Sequence, residues 1–321
     1  MASTANPAAS RPRVLVIGSL NADLVVRCAR MPEAGETLIG RSFARTPGGK
    51  GLNQAIAAAR DGAEVEMCGA VGFDETGEWL RELLADENVD DAFIIEAGET
   101  SGTALIEVDD EGRNRIVVVP AANGLLEPAH AIAAVAAQPA GSVVLASLEV
   151  PIETVTAGII AARERGLTTI VNPAPAAQLP AELLATTDVL IPNEHEVLEV
   201  TGAATIDDAI AELLATGVGT VIVTLGEKGV RWSGGFGTGA FPTLAVQAVD
   251  TVAAGDAFCG VTAAAIADGY AGDAALTRGL IAGAITVTRV GAAQSLPRAA
   301  EIDAVIDEVR TDLATRLGDP T

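Results

Sequence analysis

Hydrophobic positions along the chain fall into two alternating rhythms. Short β-branched runs recur at "VLVIG" (14–18), "VEMCGAVG" (65–72), "SVVLAS" (142–147), "TTIVNPAP" (168–175), "DVLIPN" (188–193) and "TVIVTLG" (220–226). Most are continuous apolar segments of strand length, the mark of a sheet buried on both faces. Between them lie stretches of helical period at 52–61, 75–87, 127–138, 152–165, 194–201, 206–216, 256–269, 272–290 and 300–316. Pro128 and Pro151 sit where first-turn prolines belong. The alternation predicts an α/β fold, a doubly wound, mostly parallel sheet flanked by helices.

Two regions break the rhythm. Residues 24–47 and 92–122 read as strands separated by turns, with no helix between them. "TALIEVDDEGRNRIVVVP" is a hairpin pattern with "DDEGRN" as its turn. A small β-sheet inserted as a lid is expected from these segments. No tandem repeat or low-complexity linker interrupts the chain. The reading is a disordered tail over 1–12, small, polar and proline-bearing, and one domain over 13–316 that carries the lid strands.

Composition narrows the function. The 321 residues are 49% hydrophobic and 20% charged, a globular balance. No apolar run approaches the ~20 residues of a membrane span, and the N-terminal stretch lacks the apolar core of a secretory signal. A net charge of −23 repels nucleic acid and anionic membranes, so neither is expected as a partner. Cys28, Cys68 and Cys259 are odd in number and widely spaced, without a CxxC. They read as reduced thiols of a cytoplasmic protein rather than a disulfide framework or zinc site. Only two of the 20 basic residues are lysines. Lys50 and Lys228 both fall in glycine-flanked tracts, and arginine bias is the alternative to a placed role for them.

Several standard nucleotide and catalytic motifs fail. "GGKG" is not a P-loop, because Ala44 stands where its first glycine would be and Gly51 where serine or threonine would be. "GGFGTG" (234–239) has the wrong spacing for a dinucleotide fingerprint and reads as a hairpin turn. "HEVLE" (195–199) lacks the second histidine of a zinc protease helix, and no GxSxG occurs.

Other stretches hold. "VDTVAAGDAFCG" (249–260) runs from a strand-like segment into a helix through Ala253, Ala254, Gly255 and Asp256. Amides at a helix start have no intrahelical partner and can bind phosphate oxygens, aided by the helix dipole. A carboxylate beside such a cradle suits a base that takes a proton from an attacking hydroxyl. Helix capping by Asp256 is the plain alternative. "GSLNAD" (18–23) ends the first strand with Asn21 and Asp23, polar groups at a strand's carboxyl end, where open α/β sheets bind ligands. "GGKGLNQA" (48–55) is a glycine turn opening a helix, with Lys50 and Asn53 at its mouth. "SLEVP" (147–151) puts Glu149 beyond another strand. "PNEHE" (192–196) puts Asn193 and Glu196 in the first turn of a helix.

Taken in order, "GSLNADLVV", "GGKGLNQA", "SLEVP", "NPAPA", "PNEHE", "TLGEKGV" and "VDTVAAGDAFCG" resemble the ribokinase-type carbohydrate kinase family over roughly 13–310. The resemblance implies ATP-dependent transfer of the γ-phosphoryl group to the 5-hydroxyl of D-ribose, with another sugar or a nucleoside (deoxyribose, fructose, a ribonucleoside) as the alternative acceptor. It implies Asp256 as general base and the amides of Ala253, Ala254 and Gly255 as the anion hole. Asn21, Asp23, Gly49, Lys50, Asn53 and Glu149, with Asp256, match its sugar-binding positions. Asn193, Thr224, Gly226 and Lys228, with Ala254 and Gly255, match its ATP-binding positions, and Asn193 and Glu196 its Mg²⁺ positions. A K⁺ site is implied near Asp250, Val252, Thr286, Arg289, Gly291 and Ser295. The lid sheet is implied as the contact of a homodimer. Cys259 departs from the pattern, standing where asparagine is common, and Leu280 falls where a polar group often faces adenine. A non-catalytic sugar-binding protein on the same fold is countered by the intact Asp256 segment, and an NAD-dependent oxidoreductase by the missing GxGxxG.

Overall fold

The computed structural model describes residues 13–317, so the tail expected over 1–12 lies outside the described residues. The described residues build thirteen strands and ten α-helices. The large sheet contains β1 (Val14–Ile17), β4 (Val65–Val71), β5 (Val89–Glu96), β8 (Val143–Ser147), β9 (Thr168–Asn172), β10 (Val189–Leu190), β11 (Thr220–Thr224), β12 (Val230–Gly234) and β13 (Gly237–Phe241). Its spatial order is β13-β12-β11-β10-β9-β8-β1-β4-β5. All neighbours are parallel except the β11-β12 and β12-β13 pairs at one edge.

Side chains alternate across this sheet and meet a helical layer on each face. Val14 and Val16 of β1 pack with α1 (Lys50–Arg60), α2 (Glu75–Asp86), α8 (Ala254–Ala267), α9 (Gly272–Thr286) and α10 (Ala299–Leu317). Leu15 and Ile17 pack toward α3 (Pro128–Ala137), α4 (Ile152–Glu164), α5 (Ala181–Ala185), α6 (Glu194–Thr201) and α7 (Ile206–Ala215). Local chemistry sets the helix starts. Asp74 and Thr205 accept from the third-residue amides of α2 and α7, and Pro128 opens α3 at a position that needs no amide donor.

The chain leaves β1 in one direction for β4 and β5 and returns to its other side with β8, so the connection reverses between β1 and β8. Ligand crevices form outside the carboxyl ends of strands at such a point.

The second sheet has the order β3-β2-β6-β7, built from β2 (Asn21–Arg27), β3 (Ser42–Gly48), β6 (Gly102–Val108) and β7 (Asn114–Val119). Its β2-β6 pair is parallel and the other two pairs are antiparallel. The turn between β6 and β7 is held by Asp109, whose Oδ1 accepts from Glu111 N and Arg113 N. One expectation needs correction. Residues 92–96, assigned from sequence to the inserted lid, belong to β5 and pair with β4 in the large sheet. The expected helix over 272–290 also stops at Thr286, and the run 188–193 forms only a two-residue strand. Ile191 N still donates to Val171 O at 2.8 Å, but Pro192, which has no ladder donor, and the helix-capping Asn193 come next.

Candidate active site

The switch point brings the ends of β1 and β8 together with the start of α1. Glu149 Oε2 accepts from Ser19 Oγ at 2.6 Å, from the Lys50 amide at 3.1 Å and from Asn21 Nδ2 at 3.5 Å. Close backbone approach makes this meeting feasible. A Cβ on Gly51 would lie 2.5 Å from Gly18 C and Ser19 N, so α1 starts directly against the end of β1. Gly49 caps that helix with φ 94°, a left-handed value that suits glycine. Asp23 projects from β2 over the last residue of β3, since a Cβ on Gly48 would fall 2.2 Å from its carboxylate.

The second half of the site is the start of α8. Ala253 holds φ 62° at the N-cap without a side-chain cap bond. A left-handed alanine is strained, and such residues persist where the surrounding structure dictates them. Ala253 and Gly255 line the cleft at the positive end of the helix dipole, and the Ala254 amide donates to Thr251 O at 3.4 Å. A Cβ on Gly255 would meet no atom within 4 Å, so open space lies in front of that turn. Asp256 follows one residue on and is 7% exposed. Its Oδ2 accepts from Asn53 Nδ2 at 3.0 Å and its Oδ1 from Gln54 Nε2 at 3.1 Å.

A cleft of ≈ 210 Å³ runs from this turn to the ends of β9, β10 and β11. Lys50, Asn172, Asn193, Glu196, Thr224, Thr251, Ala253, Gly255, Asp256 and Cys259 are among its lining residues. Gly226 and Lys228 lie in the turn after β11, where the Lys228 ammonium stands 3.8 Å from Glu194 rather than on the cleft wall. Asn193 and Glu196 form a reciprocal capping box on α6. Asn193 Oδ1 accepts from the amides of His195 and Glu196, and Glu196 Oε2 accepts from Asn193 N at 2.8 Å.

Charge is concentrated here. Burial, then Glu149 and Asp256, push the Asp23 carboxyl up to about 7. Burial would depress Lys50, but Asp256, Glu149 and Glu196 outweigh it and hold the ammonium above its ordinary value. Burial raises Glu196 against the pull of Asn193 N and Lys50, and the Asp256 charge adds to the rise. Burial and the same carboxylates push the Cys259 thiol well up, so it lines the cleft as a neutral group.

Of the six residues implied as a K⁺ site, hydrogen bonds bring Asp250, Val252 and Gly291 together. Asp250 ties two loops together, its Oδ1 accepting from Val252 N at 3.1 Å and its Oδ2 from Gly291 N at 3.0 Å. Thr286 and Ser295 are buried and donate to Ala282 O and Ala292 O. The Arg289 guanidinium is paired with Glu301. Among the described residues, no group of three or more His, Cys, Asp or Glu could hold a metal ion. No helix among them is long and apolar enough to cross a membrane.

Four buried polar residues of the site were not singled out from sequence. Ser19 reaches Glu149, as above. Asn123 donates to Asn21 Oδ1 at 2.8 Å and to Leu20 O at 3.0 Å, and its Oδ1 accepts from Leu20 N at 3.0 Å. Gln54 and Asn172 form a chain behind Asp256. Three of the four stood inside quoted motifs, "GSLNAD", "GGKGLNQA" and "NPAPA", but the partners that tie Ser19, Gln54 and Asn172 into the site, Glu149, Asp256 and Gln54, are more than 100 residues away in sequence.

A doubly wound sheet with its cleft at the switch point, an anion-ready helix start and a carboxylate one residue further defines a group-transfer site rather than a dinucleotide site. The model of the pfkB family carbohydrate kinases matches residues 11–299, and the chain belongs to that family. It is similar to the ribokinase of Bacillus subtilis, 39% identical over 91% of this chain and 99% of the relative. Among solved structures it is similar to the ribokinase of Thermotoga maritima, with a TM-score of 0.84 and 33% identity over 92% of this chain and 99% of that one. The Arabidopsis thaliana ribokinase complexed with ribose and ATP gives a TM-score of 0.83 at 28% identity, covering 92% of this chain and 98% of that one.

Proposed function

We infer that the protein transfers the γ-phosphoryl group of ATP to the 5-hydroxyl of D-ribose, giving D-ribose 5-phosphate and ADP. The observation that carries this reading is the buried Asp256 carboxylate beside the open first turn of α8, facing one cleft with Lys50 and Glu196. Asp256 takes the proton of the sugar hydroxyl. The freed oxygen bonds to the γ-phosphorus as the bond to the β–γ bridging oxygen breaks, and ADP leaves. The amides of Ala253, Ala254 and Gly255 meet the charge on the transferred group. Asn21, Asp23, Gly49, Lys50, Asn53 and Glu149 hold the sugar. Carboxylates and amides grip hydroxyls in pairs, and a site built that way rejects a sugar lacking one of them. Thr224, Gly226 and Lys228 border the nucleotide.

Asn193 and Glu196 would hold Mg²⁺ through water. The fit rests on Glu196, which has a second oxygen beyond its cap bond and lies among like charges that an added cation relieves. Bound there, Mg²⁺ would supply neutralisation of phosphate charge. A K⁺ near Asp250, Val252, Thr286, Arg289, Gly291 and Ser295 would take mostly backbone carbonyls, which suits a site whose Arg289 side chain is already paired. The four-stranded sheet serves as lid and as homodimer contact, supported by the exposed apolar run of β7. Three buried free thiols support a reducing compartment, the cytoplasm.

The test is ADP release from MgATP over a panel of ribose, 2-deoxyribose, fructose and ribonucleosides, in K⁺ and in Na⁺ at equal ionic strength. Turnover on ribose, higher in K⁺, is the expected result. Faster turnover on another acceptor overturns the sugar assignment. Equal rates in the two salts remove the K⁺ site.

A further inference from the structure

Asp256 is gripped from two adjacent positions of α1, and the two grips differ in kind. Asn53 is among the residues read as sugar contacts. Gln54 is not. It is 0% exposed and lies behind the cleft wall. One of its amide hydrogens goes to Asp256 Oδ1 and the other to Asn172 Oδ1, each at 3.1 Å. Asn172 Nδ2 in turn donates to the carbonyl of Ile191 at 2.8 Å.

This chain of bonds has only one polarity. A backbone carbonyl can only accept, so Asn172 must turn its NH₂ to Ile191 and its oxygen to Gln54. Gln54 must then present its NH₂ to both neighbours, and Asp256 must accept. The arrangement leaves Gln54 Oε1 buried with no partner. A side chain present only to fill space would avoid that cost. Backbone packing also serves the contact. Gly260, one turn after Asp256 on α8, lies so close to α1 that an added Cβ would stand 2.3 Å from Gln54 O.

We propose that Gln54 is a positioning residue for phosphoryl transfer: anchored through Asn172 to Ile191, it fixes the Asp256 carboxylate by Oδ1 in its proton-accepting form and leaves Oδ2 for the sugar hydroxyl. Asn53 can then exchange its bond to Oδ2 for one to the sugar without releasing the base. The inference rests on the reading of Asp256 as general base.

The test is a double-mutant cycle of Gln54→Met and Asp256→Asn, read as steady-state kcat and KM for ribose and ATP. Asp256→Asn alone is expected to lose ~10²–10⁴-fold in kcat. Gln54→Met keeps the side-chain length and removes the amide. It is expected to lower kcat about tenfold to a hundredfold, as small misplacements of a catalytic group do. Its KM values should move less than about threefold. In the Asp256→Asn background the same change should cost less than about twofold, because the residue it acts through is gone. An unchanged kcat in Gln54→Met, or an equal loss in both backgrounds, overturns the inference while leaving Asp256 as base. Normal turnover of Asp256→Asn overturns the base reading and this inference together. Should Gln54→Met not fold, Gln54→Glu replaces it. A carboxyl of the same size cannot donate to both neighbours, so kcat should fall as well, and full kcat in that variant sinks the inference.

Discussion

Asp23 carries the clearest electrostatic tension of any single residue. Burial and two neighbouring carboxylates raise it to about 7, so the folded chain holds a proton that the unfolded chain releases near pH 4. Stability from this group is therefore greatest below that lower value and is lost as pH rises towards 7. Asp23→Asn does not titrate. Its melting temperature should gain on the unsubstituted protein between pH 5 and pH 8, with the gap widening through that window. A gap that stays constant across the series would mean that Asp23 titrates near its ordinary value. At this scale the sequence was legible where polar residues bordered apolar runs, although Asn21 and Asp23, read as ending the first strand, open β2 of the second sheet, and the strand expected before Asp256 does not form. Asn21, Asp23, Glu149 and Asp256 stood out as polar groups at apolar borders, and the structure brings them together. Gln54, Asn123 and Asn172 were not legible in the same way. Each is buried by contacts with distant segments, and a neutral amide carries no local mark of such a contact.

Among the elements, α1 and α8 make the junction on which both halves of the site depend. Their starts hold Lys50 and Asp256, and Gly260 lets their backbones approach closely within a shared apolar core. Gly260→Ala would place a Cβ 2.3 Å from Gln54 O and 2.8 Å from the Ala57 Cβ. One of these neighbours is backbone, so the helices must separate. The expected cost is about 1–3 kcal/mol, typical of overpacking, read as a lower urea midpoint with unchanged slope. An unchanged midpoint would mean that α8 slides on α1 without penalty. Periodicity reported the helices well because most bury one face against the sheet. It failed for 92–96, where the apolar run "AFIIE" gave no sign of whether its partner was β4 or the smaller sheet. Strand type is local, whereas sheet membership is decided by long-range pairing. Residues 188–193 show a related limit, since the run ended in Pro192 and the α6 cap, which left a strand of only two residues.

For the whole molecule, two features of the surface oppose each other. The chain carries a net charge of −23, which makes any two copies repel. On the four-stranded sheet, however, Ile116, Val117, Val118 and Val119 are all exposed, as are Phe43 and Leu105. Because β7 is also an edge strand with one neighbour, it offers both apolar surface and unpaired backbone groups, the combination that invites pairing with another chain. Hydrophobic burial does not weaken with salt, while repulsion between surface charges does, over a screening length of about 30 Å at 0.01 M and about 10 Å at 0.1 M. A homodimer through this sheet should therefore tighten as salt is added. Sedimentation at 10 mM and 300 mM NaCl should give a dimer fraction that rises with salt, and Val117→Lys should leave a single-chain mass at both. A mass of one chain at every salt concentration would remove the lid sheet as the contact. A dimer that survives Val117→Lys unchanged would move the interface to another face of the molecule.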